Sequence, residues 1–266
     1  MSSEFRSVLV VVGCLAGMYY FLLPLLILFK QRFSADVEIG VFDPQTTPPP
    51  PSLARYFAET DAELVECGFR RLASLALPAP MPHVIAVLQL YVQEDTRDAA
   101  LVSVIFGIPE GPAKALEMRY VEILSRFRDS DLEILHTNNS NQVGSFPEVP
   151  ESLTFRLPQV TDLRRLFSYH QALLQRHAPR ATKCLRVMEE FDGDAVCYLR
   201  EAAFRESYER HVRTGYLRYF AAQDCWRATV IGAYLMTWKE LGRSSQPCAH
   251  ESGATGGGWK RVCKQR

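Results

Sequence analysis

The side chains best suited to chemistry in this sequence fall in two places. A dense polar cluster occupies residues 137–142, and the amide groups of Asn138, Asn139 and Asn141 within it could recognise a polar ligand. His170 lies on the apolar stripe of a helical pattern, where an imidazole could act as a general base. The candidate ligand-binding residues are therefore Asn138, Asn139, Asn141 and His170.

Each candidate also has a purely structural interpretation. Asn and Ser side chains hydrogen-bond to nearby backbone groups, so the amide cluster is equally typical of a tight loop. For His170, packing among Leu166, Phe167 and Leu174 without an adjacent cleft would indicate a core residue rather than a base. The sequence identifies no partner carboxylate for this histidine.

Patterns typical of metal, nucleotide and nucleophile sites are missing from the sequence. It contains no phosphate-binding loop, dinucleotide-binding glycine motif, zinc-protease helix or nucleophile elbow. His170 and His177 are about 10.5 Å apart along a helix, too far for both to bind one metal ion directly. The acidic cluster beside Gly193 fails as a calcium loop, because Ala203 stands where the twelfth-position glutamate belongs. We expect no cofactor and no metal.

The composition excludes several classes of protein. With 47% apolar and 23% charged residues, the 266-residue chain is neither disordered throughout nor a multi-span transporter. Thirty basic residues balance thirty acidic ones, which argues against a nucleic-acid partner. The seven cysteines form no C-x-x-C pair, so they indicate reduced thiols rather than a disulfide framework.

The strongest single feature is an uncharged run over residues 8–29, bounded by Arg6 and Lys30. Its 22 residues would form a helix about 33 Å long, enough to cross the hydrocarbon core of a bilayer. The run continues well beyond the apolar stretch of a cleaved signal peptide. It predicts an uncleaved, single-pass transmembrane helix, with the lipid bilayer as partner; a protein partner is left unidentified.

The flanking charges bear on the side of the membrane. Lys30 and Arg32 outnumber Arg6, and basic residues are favoured on the cytoplasmic side. Free cysteines agree with a reducing compartment. We expect the large domain on the cytoplasmic side, and the exoplasmic side is the alternative.

The alternation of apolar and polar residues predicts the fold class. From residue 69 to 157 the apolar period is two, and the clearest hairpin joins residues 84–92 to 100–106. Helical patterns follow, with Asp162 and Asp194 as predicted helix starts and a last helix from Trp226. We expect an α+β domain with an antiparallel sheet of five to six strands and C-terminal helices packed on it.

Composition shifts divide the chain into five parts. Four consecutive prolines form a spacer before the domain, and a glycine-rich, basic end follows it. The parts are an N-terminal flank (1–7), the transmembrane helix (8–29), a juxtamembrane and proline-rich segment (30–51), the α+β domain (52–241) and a disordered basic tail (242–266).

These features favour a membrane-anchored protein with a binding or scaffolding domain of unknown biochemical activity. One alternative is a membrane-tethered enzyme, such as a hydrolase, whose site is assembled from distant residues. Another is a peripheral lipid-contacting domain, because residues 228–238 are uncharged between Arg227 and Lys239.

Overall fold

The structure of the protein is a computed structural model that describes most of the chain. Two features of the sequence analysis lie outside it, namely residues 44–48 of the proline-rich segment and the tail from residue 245. The described residues are 3–43, 49–78, 84–107, 117–142 and 146–244.

A mixed sheet of eight strands forms the centre of the main domain. Seven strands lie side by side in the order β2-β3-β4-β5-β6-β7-β8, and β9 pairs with the end of β6. The strands are β2 (Gly40–Val41), β3 (Arg70–Pro78), β4 (Val84–Gln93), β5 (Asp98–Gly107), β6 (Glu117–Arg128), β7 (Ile134–Asn138), β8 (Ser152–Arg156) and β9 (Thr182–Cys184).

The α+β class is confirmed, but the description of the sheet needs two corrections. The sheet has more than the five to six strands expected, because β2 and β9 are too short to show an alternating pattern. It is also not wholly antiparallel, since β7 and β8 run parallel, joined by a long connection rather than a tight turn. The β4–β5 hairpin is antiparallel as predicted, and β6 and β7 form a second antiparallel hairpin.

Helices cover both faces of this sheet. On one face lie α2 (Pro51–Glu66) and α3 (Leu163–His177), and Asp162 caps α3 by accepting a hydrogen bond from Arg165 N at 3.1 Å. On the other face lie the short helices α4 (Arg186–Glu189), α5 (Ala195–Tyr198) and α6 (Glu206–Arg213). A π-helical segment, Leu199–Arg205, joins α5 to α6. The predicted helix starts at Asp162 and Asp194 are both confirmed.

The two-sided cover explains why β4 is apolar on both faces. Val87 and Tyr91 are fully buried on the side of α2 and α3. Leu88 and Leu90, one residue out of phase, are buried on the side of α5 and the π-helix. The sequence of a strand in this position is a nearly continuous apolar run, because neither face of the strand contacts water.

A second sheet of three short strands lies beside the main domain. Its order is β1-β11-β10, all antiparallel. Its strands are β1 (Arg32–Ser34), β10 (Leu217–Phe220) and β11 (Cys225–Ala228).

This small sheet overturns the prediction of a helix beginning at Trp226. Trp226 lies on β11, and the last helix, α7, runs Val230–Ser244. Thr229 begins α7, because its hydroxyl accepts a hydrogen bond from Gly232 N at 3.0 Å. The spacing between Trp226 and the apolar residues of α7 matches a helical period, but Trp226 itself lies on a strand.

Two long helices extend from the small sheet. The first, α1, runs Ser3–Lys30 and leads directly into β1, while β11 leads into α7. The helices pack side by side, with the rings of Tyr20 and Tyr234 5.4 Å apart and Ile27 against a small core that includes Met236. Pro24 is accommodated inside α1.

The side chains of α1 are described without a break from Gly17 to Lys30. Within the described part of the chain, no helix is both long enough and apolar enough to span a bilayer. The transmembrane role expected for residues 8–29 stays a prediction.

Substitution of Gly232 tests the close approach of α7 to the small sheet. A Cβ at this position would collide with the backbone carbonyl oxygen of Tyr216, which cannot move aside cheaply. We expect Gly232→Ala to lower the thermal midpoint of the full chain in detergent by about 2–10 °C, since overpacking costs about 1–3 kcal/mol. Gly17→Ala is the matched helix control, because a Cβ there meets nothing within 4 Å. Equal midpoints for both variants would contradict this packing.

Candidate functional site

A cavity of about 480 Å³ lies between the main sheet and the layer formed by α5, the π-helix and α6. Its floor consists of the side chains that β4 to β8 direct to this face. Its roof includes Tyr198, Leu199, Ala203 and Phe204. A volume of this size suits a small-molecule ligand.

One end of the cavity is apolar. Leu88 and Leu90 on β4 line it together with Leu101 and Ile105 on β5, and Phe204 closes it from the roof. These positions follow from the period of a strand, in which every second side chain points to the same face. This end can hold a hydrocarbon or aromatic group but offers it no hydrogen bond.

The other end, built on β6, β7 and β8, carries most of the polar side chains of the cavity beside the apolar Leu124, Ile134 and Val149. Glu122, His136, Thr154 and Arg156 line it, with Ser103 from β5 at its border. The pairing register brings them together, because His136 stands opposite Thr154 and Glu122 stands opposite Asn138. The cavity is therefore amphipathic along its length.

Glu122 and His136 form the centre of the polar end. Glu122 Oε1 lies 3.2 Å from His136 Nδ1, and the Asn138 amide donates to the same oxygen at 3.2 Å. Burial by itself raises the pKa of Glu122, but the charge and hydrogen bond of His136, with Asn138 and Arg156, bring it below its ordinary value. The carboxylate thus keeps its charge at neutral pH beside a donor-rich surface.

The part of the roof that borders the cavity is a π-helix rather than an α-helix. In Leu199–Arg205 each turn carries more residues than in an α-helix, and Leu199, Ala203 and Phe204 border the cavity. Such π segments are costly and occur frequently at functional sites. The π-helical distortion of the roof therefore lies directly beside the cavity.

Buried arginines fix the roof to the sheet. The Arg126 guanidinium, on β6, donates to the Ala202 carbonyl at 2.6 Å and lies 3.4 Å from the Glu206 carboxylate. Arg210, on α6, pairs with Glu133 at 3.2 Å. Because both arginines are only 5% exposed, these contacts hold the helices at a defined height above the floor.

Of the three candidate asparagines, one contacts a residue that lines the cavity. Asn138 is buried at the end of β7, where it binds Glu122 and accepts from Ser140 N at 3.3 Å. Asn139 accepts from Val121 N at 2.7 Å, which fixes the loop to β6, and Asn141 is exposed. Ligand binding by these residues stays a prediction, and their contacts include the local turn bonds that the sequence also indicated.

His170 lies on the opposite side of the sheet, fully buried under α3. Its Nδ1 lies 3.0 Å from Thr137 Oγ1 and its Nε2 2.9 Å from Ser125 Oγ. The Ser125 hydroxyl donates to Asp98, so in the neutral ring Nε2 donates to Ser125 and Nδ1 accepts from Thr137.

The arrangement resembles a nucleophile triad in composition but not in geometry. In such a triad the carboxylate and the nucleophile contact opposite ring nitrogens. Here Asp98 Oδ1 lies 3.7 Å from Nε2, on the same side as Ser125. Asp98, Ser125 and His170 are each 0% exposed, and none of them lines the cavity, so the group can join strands but has no surface for a substrate.

The charge of Asp98 is neutralised within this network. Lys183, on β9, forms an ion pair with Asp98, and the Gln171 amide donates to its other oxygen at 2.7 Å. Burial raises the pKa of Asp98, but His170 and Lys183 outweigh it and bring that pKa below its ordinary value. Burial also lowers the pKa of His170.

Sequence reasoning did not select the residues that line the polar end. The alternation along β6 did place Glu122 on a polar face, but His136 carried no distinguishing signal. Their proximity depends on the β6–β7 register, in which Leu124 pairs with His136 and Glu122 with Asn138. Among the described residues, no group of three or more His, Cys, Asp or Glu side chains could hold a metal ion.

Comparisons with models of protein families, with curated proteins and with solved structures find no match to this chain.

Removing the Asp98 carboxylate tests the structural role of the His170 network. We expect Asp98→Ala to lower the free energy of unfolding by about 3 kcal/mol, because it leaves Lys183 without its partner beside a buried histidine. Chemical denaturation of the full chain in detergent measures the change. Asp95→Ala, on the exposed β4–β5 turn, is the matched control.

The same network predicts a pH dependence with a defined sign. Because the pKa values of Asp98 and His170 are lower in the folded state, unfolding binds protons, and stability falls as the pH drops. The loss should begin below the ordinary histidine value of 6.5 and steepen below the ordinary aspartate value of 3.8. Asp98→Asn should reduce the dependence of the unfolding free energy on pH in the acidic range. An unchanged dependence in that range would show that Asp98 is not the group responsible.

Proposed function

We propose that this chain is a membrane-associated binding protein whose α+β domain takes up an amphipathic small molecule. The single observation that carries the proposal is the cavity, apolar at the β4–β5 end and polar around Glu122, His136 and Arg156. The apolar body of the ligand would lie against Leu88 and Leu101. Its polar head would face the opposite end.

The chemistry of the polar end limits the kind of head group. Arg156 supplies donors that are charged at all accessible pH values, and Glu122 supplies an acceptor. His136 stands beside Glu122 and can exchange partners with a ligand hydroxyl or carboxylate. A compact head with an acidic or hydroxyl group therefore fits better than a large cationic one.

The energetics favour a ligand with a long apolar part. Each methylene transferred from water to the cavity contributes about 0.8 kcal/mol, so about eight methylenes offset much of the entropic cost of binding. The polar head mainly fixes orientation, because its hydrogen bonds replace those with water. Binding should thus depend more on chain length than on head-group strength.

Association with a membrane is supported by exposed apolar side chains on the two long helices. Ile231 on α7 is 65% exposed and Phe29 on α1 is 64% exposed, and the helices are in contact. Exposed apolar surfaces of this extent mark membrane or protein interfaces. Others on the same two helices are Val10, Val11, Met18, Phe21, Leu22, Leu25, Leu26, Val230 and Leu235.

The full anchoring arrangement is part of the proposal. The uncharged run over residues 8–29 favours a single-pass anchor, and the basic flank at Lys30 and Arg32 favours the cytoplasmic side for the domain. An amphipathic ligand would be plentiful at such a location, because molecules of this kind partition into bilayers.

A membrane-tethered enzyme is the second candidate, favoured by the Glu122–His136 contact. A carboxylate oxygen and an imidazole nitrogen lie 3.2 Å apart beside the cavity, and among the described residues this nitrogen makes no well-aligned hydrogen bond. Both groups are therefore available to exchange a proton with a substrate. The two candidates differ in what is recovered after incubation. A binding protein returns its ligand unchanged, whereas an enzyme returns a product.

Binding of dansyl-labelled undecanoic acid to the full chain in non-ionic detergent tests the cavity. We expect Ala203→Phe to weaken the affinity at least tenfold, because the ring would occupy space under the π-helix. Ala58→Phe, on the exposed side of α2, is the matched control and should bind like the wild type. Ser207→Leu, also on the roof, provides a second blocking variant if Ala203→Phe unfolds.

Equal affinity of the wild type and both blocking variants, with unchanged thermal midpoints, would contradict cavity binding. Incubation with the methyl ester of the same probe, which offers a hydrolysable bond, followed by mass spectrometry then separates the two candidates. An unaltered probe supports binding, and a product that is lost in Glu122→Gln supports catalysis.

Extraction of membranes at alkaline pH tests the association with lipid. We expect the wild-type chain to remain in the membrane pellet and Leu22→Asp with Leu26→Asp to be released. The reason is that a carboxylate at the centre of a bilayer costs about 2.5–3.5 kcal/mol. Val65→Asp, at an exposed apolar position of α2, is the matched control and should stay in the pellet. Release of the wild-type chain would contradict the anchor.

A further inference from the structure

Three arginines lie in one row across the small sheet. Arg32 on β1 pairs in register with Arg227 on β11, and Arg227 pairs with Arg218 on β10. Residues directly opposite each other in antiparallel strands point to the same face. Because neighbouring strands are about 4.8 Å apart, the row extends about 10 Å.

The row lacks the acidic partners that other arginines of this chain have. In the main domain Arg128 pairs with Glu189, and Arg186 pairs with both Glu190 and Glu206. Among the described residues, no carboxylate lies within ion-pair distance of the three arginines of the row. Three like charges side by side oppose folding of this sheet, so an anion bound between them would stabilise it.

Local contacts hold two of the guanidinium groups in place. Arg218 and Arg227 both lie over the ring of Phe220, at 4.4 and 5.0 Å from its centroid. Arg227 also donates to Gln223, while its Nε is buried without a hydrogen-bond partner. The unsatisfied donor is a group that a ligand oxygen would satisfy.

The position of the row relates it to the apolar helices. Arg32 comes two residues after Lys30, the last residue of α1, and Arg227 comes three residues before Val230, the first residue of α7. Both helices leave the small sheet at the end where the row lies. Charged groups therefore stand at the base of the exposed apolar surface of α1 and α7.

We propose that this row binds the phosphate groups of anionic phospholipid headgroups at the surface of the bilayer. Guanidinium groups suit phosphate because their paired donors match two oxygens. The apolar surface that starts beside the row assigns the phosphate to a lipid, whose acyl chains would lie along α1 and α7. The proposal rests on the membrane association proposed above and is independent of the cavity.

Titration with soluble short-chain lipids tests the proposal on the full chain in non-ionic detergent. The probes are dioctanoyl phosphatidylglycerol, dioctanoyl phosphatidylcholine and inorganic phosphate, at low ionic strength. We expect the phosphatidylglycerol to bind at least tenfold more tightly than either of the other two. Added salt should reduce this preference, because the row is largely exposed.

Neutralising the exposed members of the row should remove the preference. We expect Arg32→Gln with Arg218→Gln to weaken phosphatidylglycerol binding at least tenfold, at about fivefold for each basic residue. Both side chains are exposed, so the thermal midpoint should not fall. Arg55→Gln, at an exposed position of α2, is the matched control and should bind like the wild type.

Arg227→Lys provides a second variant that keeps the charge but loses the paired donors. It should weaken phosphatidylglycerol binding while retaining some preference over phosphatidylcholine. Equal binding of the two lipids by the wild type, or unchanged binding by the double variant, would overturn the proposal. Inorganic phosphate binding as tightly as the anionic lipid would also overturn it, because the site would then serve a free anion.

Failure of this proposal is distinguishable from failure of the membrane anchor. Retention after alkaline extraction reports on the apolar helices, whereas the titration in detergent reports on the arginine row alone.

Discussion

Most of the internal structure depends on the register of β6 with its neighbours. This strand pairs with β5, β7 and β9, and its side chains alternate between two environments. Glu122 and Arg126 face the cavity, while Ser125 faces the His170 network. A slip of one residue would exchange these faces, placing Glu122 under α3 and Ser125 in the cavity. The hydrophobic pattern and the buried hydrogen bonds together make such a slip very costly.

The two polar groups on opposite faces of the sheet have different physical roles. The side chains that contact His170, from Asp98, Ser125 and Thr137, are fully buried, and Lys183 and Gln171 bind Asp98 from the edge of the group. The group therefore fixes β5, β6, β7, β9 and α3 relative to one another. Around Glu122 the partners border an open volume, and donors and acceptors remain near space that a ligand can fill. Of the two groups, only the one around Glu122 borders a volume large enough for a small molecule.

The small sheet lies between the two long helices and the main domain. It joins α1 and α7 to the main domain through Trp226 and Tyr208, whose rings lie 6.3 Å apart. One of its faces packs into this apolar contact, and the other presents the arginine row. The apolar helices, the charged row and the domain thus follow one another along one short structure.

The sequence by itself determined the features that depend on local period. The α+β class, the central hairpin and the caps at Asp162 and Asp194 follow from alternation and capping chemistry, which act over a few residues. The long helix over the uncharged run follows in the same way. Strands of two or three residues, such as β2 and β9, escaped because they carry too few residues to display a period.

Only the tertiary structure decided which distant residues meet. Glu122 and His136, Asp98 and His170, and the three arginines of the row are separated by 14, 72 and up to 195 positions in the chain. Each contact depends on strand register, on the order of strands in a sheet and on which helix covers which face. Those choices are made by the packing of the whole domain, because the local pattern shows which face of a strand is apolar but not which strand lies beside it.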